Sequence, residues 1–196
     1  MLDITLAHIR SFFSSFCRDE LNNRTLIRAG VLVPLVMRNG ELSVVLTQRT
    51  EEVEHHKGQV SFPGGTMDGI DATIIDTALR EAGEEIGLTR NSVEVLGLLN
   101  DFCTPSGFCI TPVVGFLPLI PSFILNKTEV SGIFDVPLSF FLDSNNERVK
   151  KLERSDKITN VYFYNYGKYE IWGATAEILQ NFLQALNTEI NHKKTL

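Results

Sequence analysis

Cysteine is scarce in this sequence and shows no paired-ligand spacing. Cys17, Cys103 and Cys109 are three in 196 residues. Their odd number and spacing exclude a disulfide-stapled scaffold and suit the reduced thiols of a cytoplasmic protein. No histidine accompanies them in a recognisable arrangement, so a cysteine nucleophile is not expected. Positive charge is in deficit: 18 Lys and Arg stand against 24 Asp and Glu, for a net charge of −6 and a pI near 5.2. That balance argues against a general nucleic-acid binder, which carries a basic patch. No apolar run reaches the roughly 18 residues of a membrane span. The first residues lack the basic start and cleavage site of a secretion signal. Repeats, low-complexity tracts and Pro/Gly/Ser linkers are also missing. What remains is 43% hydrophobic, enough for one domain with a sizeable core over residues 1–196.

Periodicity and turn signals divide that domain. Leu2, Leu6, Ile9, Phe13 and Phe16 recur at helical spacing and predict an amphipathic N-terminal extension, about residues 1–20. Its first reading is a helix packed on the core, and its second a homodimer contact. Ala29 to Met37 is a valine-rich strand, Asn39-Gly40 a two-residue hairpin turn, and Glu41 to Thr47 the partner strand. Gln59 to Phe62 reads as a short strand ended by Pro63-Gly64-Gly65. A helix runs to about Ile86, with Asp71 as its cap and Gly87 as its left-handed stop. Val93 to Leu99 and Ile110 to Leu117 are further strands, and Asn100 to Phe108 between them is expected as a loop near the functional site. Leu138 to Leu142 predicts a short helix. Val161 to Tyr166 and Tyr169 to Trp172 form a hairpin, and Gly173 to Asn187 a final helix. Many strands with few helices fit an α+β architecture.

The helix ending at Ile86 carries the chemistry. At about 100° per residue, Glu81, Glu84 and Glu85 share one arc of about 100°, while Ile75, Ala78, Leu79, Ala82 and Ile86 share the neighbouring one. One helix thus buries an apolar stripe and aims three carboxylates beside it. Such crowded like charges raise one another's pKa unless a cation joins them. Hard oxygen ligands at this density suit Mg²⁺ or Mn²⁺. The plainer reading is a solvated acidic face with ordinary i,i+4 pairs. Arg80 is placed to orient a glutamate through charge-assisted hydrogen bonds. Gly83, inside the helix at a cost of about 0.5–1 kcal/mol, points to close packing of a neighbouring segment. Arg49 is the best candidate for a phosphate contact, with a structural ion pair as its alternative. Phe108, Tyr169 and Trp172 can stack on a base, although aromatics in such runs more often belong to a core.

Gly65, then Asp71, then Arg80-Glu81-Ala82-Gly83-Glu84-Glu85-Ile86-Gly87-Leu88 resemble the Nudix box, G-x5-E-x7-R-E-U-x-E-E-x-G-U with U a bulky apolar residue. Asp71 stands for the first Glu, the spacer to Arg80 is one residue longer, and Ala82 fills an apolar slot. The first two departures are familiar in the coenzyme A pyrophosphatase branch. Val45-Leu46-Thr47-Gln48-Arg49-Thr50, Gly58 and Phe62-Pro63-Gly64-Gly65 are similar to that branch's signature, L-L-T-x-R-S-x3-R-x3-G-x3-F-P-G-G. Glu54 falls where the signature has its second arginine. The resemblance implies the Nudix fold, a mixed sheet between helices. It implies metal held by Glu81, Glu84 and Glu85 with a backbone carbonyl at Gly64 or Gly65, and a general base at Glu81 or, second, Glu129. It places substrate at Arg49, Gly58, Phe62 and Gly64. The implied reaction is cleavage of coenzyme A or acyl-CoA to 4′-phosphopantetheine and 3′,5′-ADP. The alternatives are another nucleoside diphosphate derivative, such as ADP-ribose or NADH, and a nucleotide sensor that does not cleave.

Overall fold

The computed structural model describes residues 4–21, 23, 25–52, 56–154 and 157–194. Glu54 and His55 lie outside the described residues. In chain order the elements are α1 (Leu6–Ser15), β1 (Ile27–Arg38), β2 (Glu41–Arg49), β3 (Val60–Ser61), β4 (Gly64–Thr66), α2 (Ile74–Ile86), β5 (Glu94–Leu98), β6 (Phe102–Cys103), β7 (Phe108–Leu117), β8 (Val130–Pro137), α3 (Leu138–Leu142), β9 (Glu147–Arg154), β10 (Lys157–Tyr166), β11 (Tyr169–Trp172) and α4 (Gly173–Lys194). The architecture is α+β, with a mixed eight-stranded sheet and a separate three-stranded one. No helix among the described residues is long and apolar enough to cross a membrane.

Alternation in the long strands sorts their side chains to two faces. Leu32, Val36, Val45 and Val113 bury against Ala78, Leu79, Ala82 and Ile86 of α2. Val33, Leu35, Val44 and Val114 bury on the other face, in one cluster with Ile9 and Phe12 of α1 and Phe182 of α4. The N-terminal helix therefore packs on the core: Phe12 stacks on Phe16 at 4.6 Å and meets Phe182 edge-on at 6.2 Å.

The positioning of the site follows from a fork in the sheet. β1 and β2 form a hairpin through Asn39 and Gly40, both with positive φ, and pair from Leu35↔Val44 to Arg38↔Glu41. Away from that turn the two strands diverge. The segment after β2 fills the gap, β3 pairing with β2 and β4 with β1. The short strand expected at 59–62 is β3, but Gly64 and Gly65 do not end the pattern: after Pro63 they open a second short strand, β4, paired with β1.

Two further expectations are corrected, and one strand is new. α2 is capped by Thr73, not Asp71. The Thr73 hydroxyl accepts the Asp76 N–H at 3.2 Å, and the Asp76 carboxylate accepts the Thr73 N–H at 2.9 Å, a capping box. The loop from Asn100 to Phe108 folds as a small β6–β7 hairpin, tied to Leu21, Thr111 and Ile27. Strand β9 went unread because Glu147–Arg154 is mostly charged and gains its form by pairing with β10. The stop at Gly87 has φ +73°, and the Gly87 and Leu88 N–H groups close on the carbonyls of Gly83 and Ala82.

Candidate active site

Arg80 organises the acidic face of α2. All five of its N–H donors are matched. Nε and one Nη2 donor hold the two oxygens of Asp71, each at 3.0 Å. The other Nη2 donor meets the Thr66 carbonyl at 3.1 Å. The Nη1 donors reach Glu81 at 2.9 Å and Glu84 at 3.2 Å. Asp71 is nearly buried and also accepts from the Thr77 hydroxyl and the Asp68 N–H. The guanidinium beside it holds its carboxyl at about 2, well below the usual range. The residue expected to cap the helix is therefore the anchor of the arginine that orients the carboxylates.

The three glutamates have different surroundings. Glu84 is mostly exposed, Glu81 is largely covered, and the Glu85 side chain is only 4% exposed. Burial pushes the Glu85 carboxyl up to about 8. Arg49 opposes this, Glu81 and Glu129 reinforce it, and the Gly64 N–H supplies a hydrogen bond. Burial also raises the Glu81 carboxyl, against the pull of Arg80.

Arg49 and Glu129 arrive from elsewhere in the chain. The β2–β8 ladder shifts register at Gln48/Arg49, where Arg49 faces Val130, and the Thr50 N–H donates to the Glu129 carbonyl. Such a bulge re-aims a side chain. The Arg49 Nη1 stands 3.8 Å from a Glu85 oxygen, and its buried Nε has no hydrogen-bond partner among the described residues. Asn126, which sequence reasoning missed, sets this corner. Its side-chain amide donates to Glu129 at 3.2 Å and its N–H to the Glu85 carbonyl at 2.9 Å. The Asn126-x-Thr128-Glu129 run carries a turn signal, since Thr128 N–H and hydroxyl both donate to Asn126 Oδ1.

The glycines divide by role. A Cβ at Gly65 would lie 2.5 Å from the Glu81 carboxyl group, whereas one at Gly64 would lie 2.5 Å from the Gly30 carbonyl and 2.6 Å from Val31 Cα. Gly65 leaves room for a site side chain, and Gly64 lets β4 lie against β1. A Cβ at Gly83 would lie 3.1 Å from the Leu88 carbonyl, the close packing expected of it. Gly58 turns the β2–β3 connection with φ +65° and a carbonyl that accepts from Gln48. Phe62, expected at the substrate, is instead buried in the core at 4% exposure, so its ring anchors the loop from beneath. Tyr169 stacks face to face on Phe134 at 3.7 Å, and Trp172 on Phe163 at 6.0 Å.

The NUDIX domain family matches this chain over residues 26–139, which contain the whole constellation. The chain belongs to the Nudix hydrolase family. Two bacterial relatives, both named uncharacterized Nudix hydrolase NudL, bear this out. The one from Photorhabdus laumondii is 40% identical over 163 residues, 83% of this chain and 85% of its own. The one from Shigella sonnei is 36% identical over 180 residues, 92% of each. The solved structure of a MutT/nudix family protein from Enterococcus faecalis shares the fold at a TM-score of 0.52 and 18% identity, covering 94% of this chain and 70% of that one. Nudix hydrolases cleave nucleoside diphosphate derivatives, and this chain is such an enzyme.

Nudix hydrolases generally use divalent metal, and the residues here fit one. Glu85 is a buried carboxyl with a distant cation and one N–H for company, and Glu81 and Glu129 add to its negative surroundings. Only oxygen donors gather at this place, the set that hard divalent cations take. Among the described residues no three acidic, histidine or cysteine side chains are already drawn around one point, and Arg80 bonds both Glu81 and Glu84.

Proposed function

We propose that this Nudix hydrolase cleaves the diphosphate of coenzyme A or acyl-CoA to 4′-phosphopantetheine and 3′,5′-ADP, using Mg²⁺ or Mn²⁺. The observation that carries the substrate class is the run from Arg49 through Gly58 to Phe62-Pro63-Gly64-Gly65 at the spacing of the coenzyme A signature. What supports that use is that Arg49 ends β2 with its guanidinium 3.8 Å from Glu85, while Gly64 and Gly65 open β4 beside β1.

Glu81, Glu84 and Glu85, with the Gly65 carbonyl, are the ligands in this reading. The bound ion supplies neutralised charge on the diphosphate oxygens and a more acidic water. Arg49 takes a phosphate oxygen with its under-used donors. Arg80 stays with Asp71 and fixes the rotamer of Glu81. Glu81 is the first candidate for the base that accepts the proton of the attacking water, and Glu129 the second.

A second reading rests on Glu54, an acid where the signature places a cation. It directs the enzyme to ADP-ribose or NADH. A panel of coenzyme A, dephospho-coenzyme A, ADP-ribose and NADH with either metal, resolved by chromatography, decides between them. Coenzyme A cleaved fastest, and faster than its dephospho form, supports the first reading. Cleavage of ADP-ribose or NADH with coenzyme A left intact overturns it.

A further inference from the structure

Two of the cysteines face each other on strands that contribute none of the site carboxylates. Cys103 in β6 and Cys109 in β7 are directly opposed in antiparallel register. Next to them, the Thr104 N–H donates to the Phe108 carbonyl at 2.9 Å, so 104 and 108 are a hydrogen-bonded pair. Such pairs alternate along an antiparallel ladder. Residues 103 and 109 are therefore a non-hydrogen-bonded pair, with side chains on one face and Cα atoms about 4.5 Å apart. A disulfide spans Cα separations of about 4.4–6.8 Å.

Their exposure differs in a useful way. Cys103 is exposed and Cys109 is buried. Burial pushes the Cys109 thiol up, so an oxidant from solvent meets Cys103 first. We propose that Cys103 and Cys109 are an oxidative modification site, closing to a reversible disulfide when the protein meets a peroxide. The Cys103 sulfur attacks one peroxide oxygen, the O–O bond breaks, and a sulfenic acid and one water result. The Cys109 sulfur then attacks the sulfenic sulfur, the S–O bond breaks, and a second water leaves. Two thiols and one hydrogen peroxide give one disulfide and two waters, the two electrons passing to the peroxide. A dithiol reverses the change by exchange. The bridge pins the turn whose Gly107 carbonyl accepts the N–H of Ile27, the first residue of β1.

The test uses the full chain, reduced and then given one equivalent of hydrogen peroxide. Thiols are counted under denaturing conditions, alkylated, and located by tryptic mass. Cys103 and Cys109 share the peptide Asn91–Lys127, which has no internal Lys or Arg, whereas Cys17 lies in Ser11–Arg18. The expected result is a fall from three thiols to one, with Asn91–Lys127 lighter by two hydrogens and not alkylated, Cys17 alkylated, and dithiothreitol restoring the reduced peptide. Cys103→Ser, at an exposed edge position, should leave Cys109 alkylated after the same treatment. Three surviving thiols, loss at Cys17 alone, or a Cys103 oxidised while Cys109 still alkylates each overturn the proposal.

Discussion

The carboxyl group of Glu81 occupies the space that any side chain at Gly65 would claim, 2.5 Å from where a Cβ would stand. Gly65→Ala should therefore push the end of a flexible side chain aside and leave the backbone in place. A displacement of this size costs about 10²-fold in turnover, with melting temperature little changed. Gly64→Ala should do the reverse. Its Cβ meets the backbone of Gly30 and Val31, and such overpacking costs about 1–3 kcal/mol of stability. Paired thermal melts and turnover assays separate the two.

Asp71 gives a stability prediction with a defined pH window. In the fold its carboxyl titrates at about 2, held down first by Arg80, while an unfolded aspartate titrates near ~4. The folded state thus binds fewer protons between these values, so the contribution is complete above pH ~4 and lost as pH falls through about 2. Asp71→Asn should lose about 1.5–3 kcal/mol near neutrality, the worth of a hydrogen bond to a charged group. The gap from wild type should close in urea melts carried down toward pH 2. A gap that stays constant below pH 4 would show that the ion pair with Arg80 is not its source.

How far the site could be read from sequence depends on the separation of its parts. The α2 face was legible because Glu81, Glu84 and Glu85 lie within two turns of one helix, and helical period alone fixes their relation. The stop at Gly87 and the turn at Asn39-Gly40 were legible for the same local reason. The cap was not, because Asp71 and Thr73 are both good cap residues, and the choice is made by Arg80, which recruits Asp71 from nine positions away. The convergence of Arg49 and Glu129 on Glu85 was beyond reach. It depends on a long-range pairing, Arg49 with Val130, and on the register shift beside it. The burial of Phe62 was also out of reach, because a motif position says nothing about which way its ring points.

Arg49 should show its role in the split between binding and stability. Its buried Nε lacks a partner among the described residues, and its approach to Glu85 is long, so little of its hydrogen-bonding capacity is committed among them. Arg49→Ala is expected to raise KM about 10–100-fold, equivalent to one charge-assisted hydrogen bond, with a small change in melting temperature. A large fall in melting temperature with KM unchanged would make it a structural ion pair instead.

Glu85 is the position at which to test whether the carboxylates of α2 are the metal-dependent hydrolytic centre. Glu85→Gln removes a charge and almost no volume, at a position where burial already disfavours that charge. The measurement is turnover of wild type and Glu85→Gln on coenzyme A over a range of Mg²⁺, with a thermal melt of each. The expected result is at least about a 10³-fold loss of turnover, the equivalent of several kcal/mol of lost charge stabilisation, with a melting temperature no lower than wild type. Near-normal turnover of Glu85→Gln in saturating Mg²⁺ would contradict it.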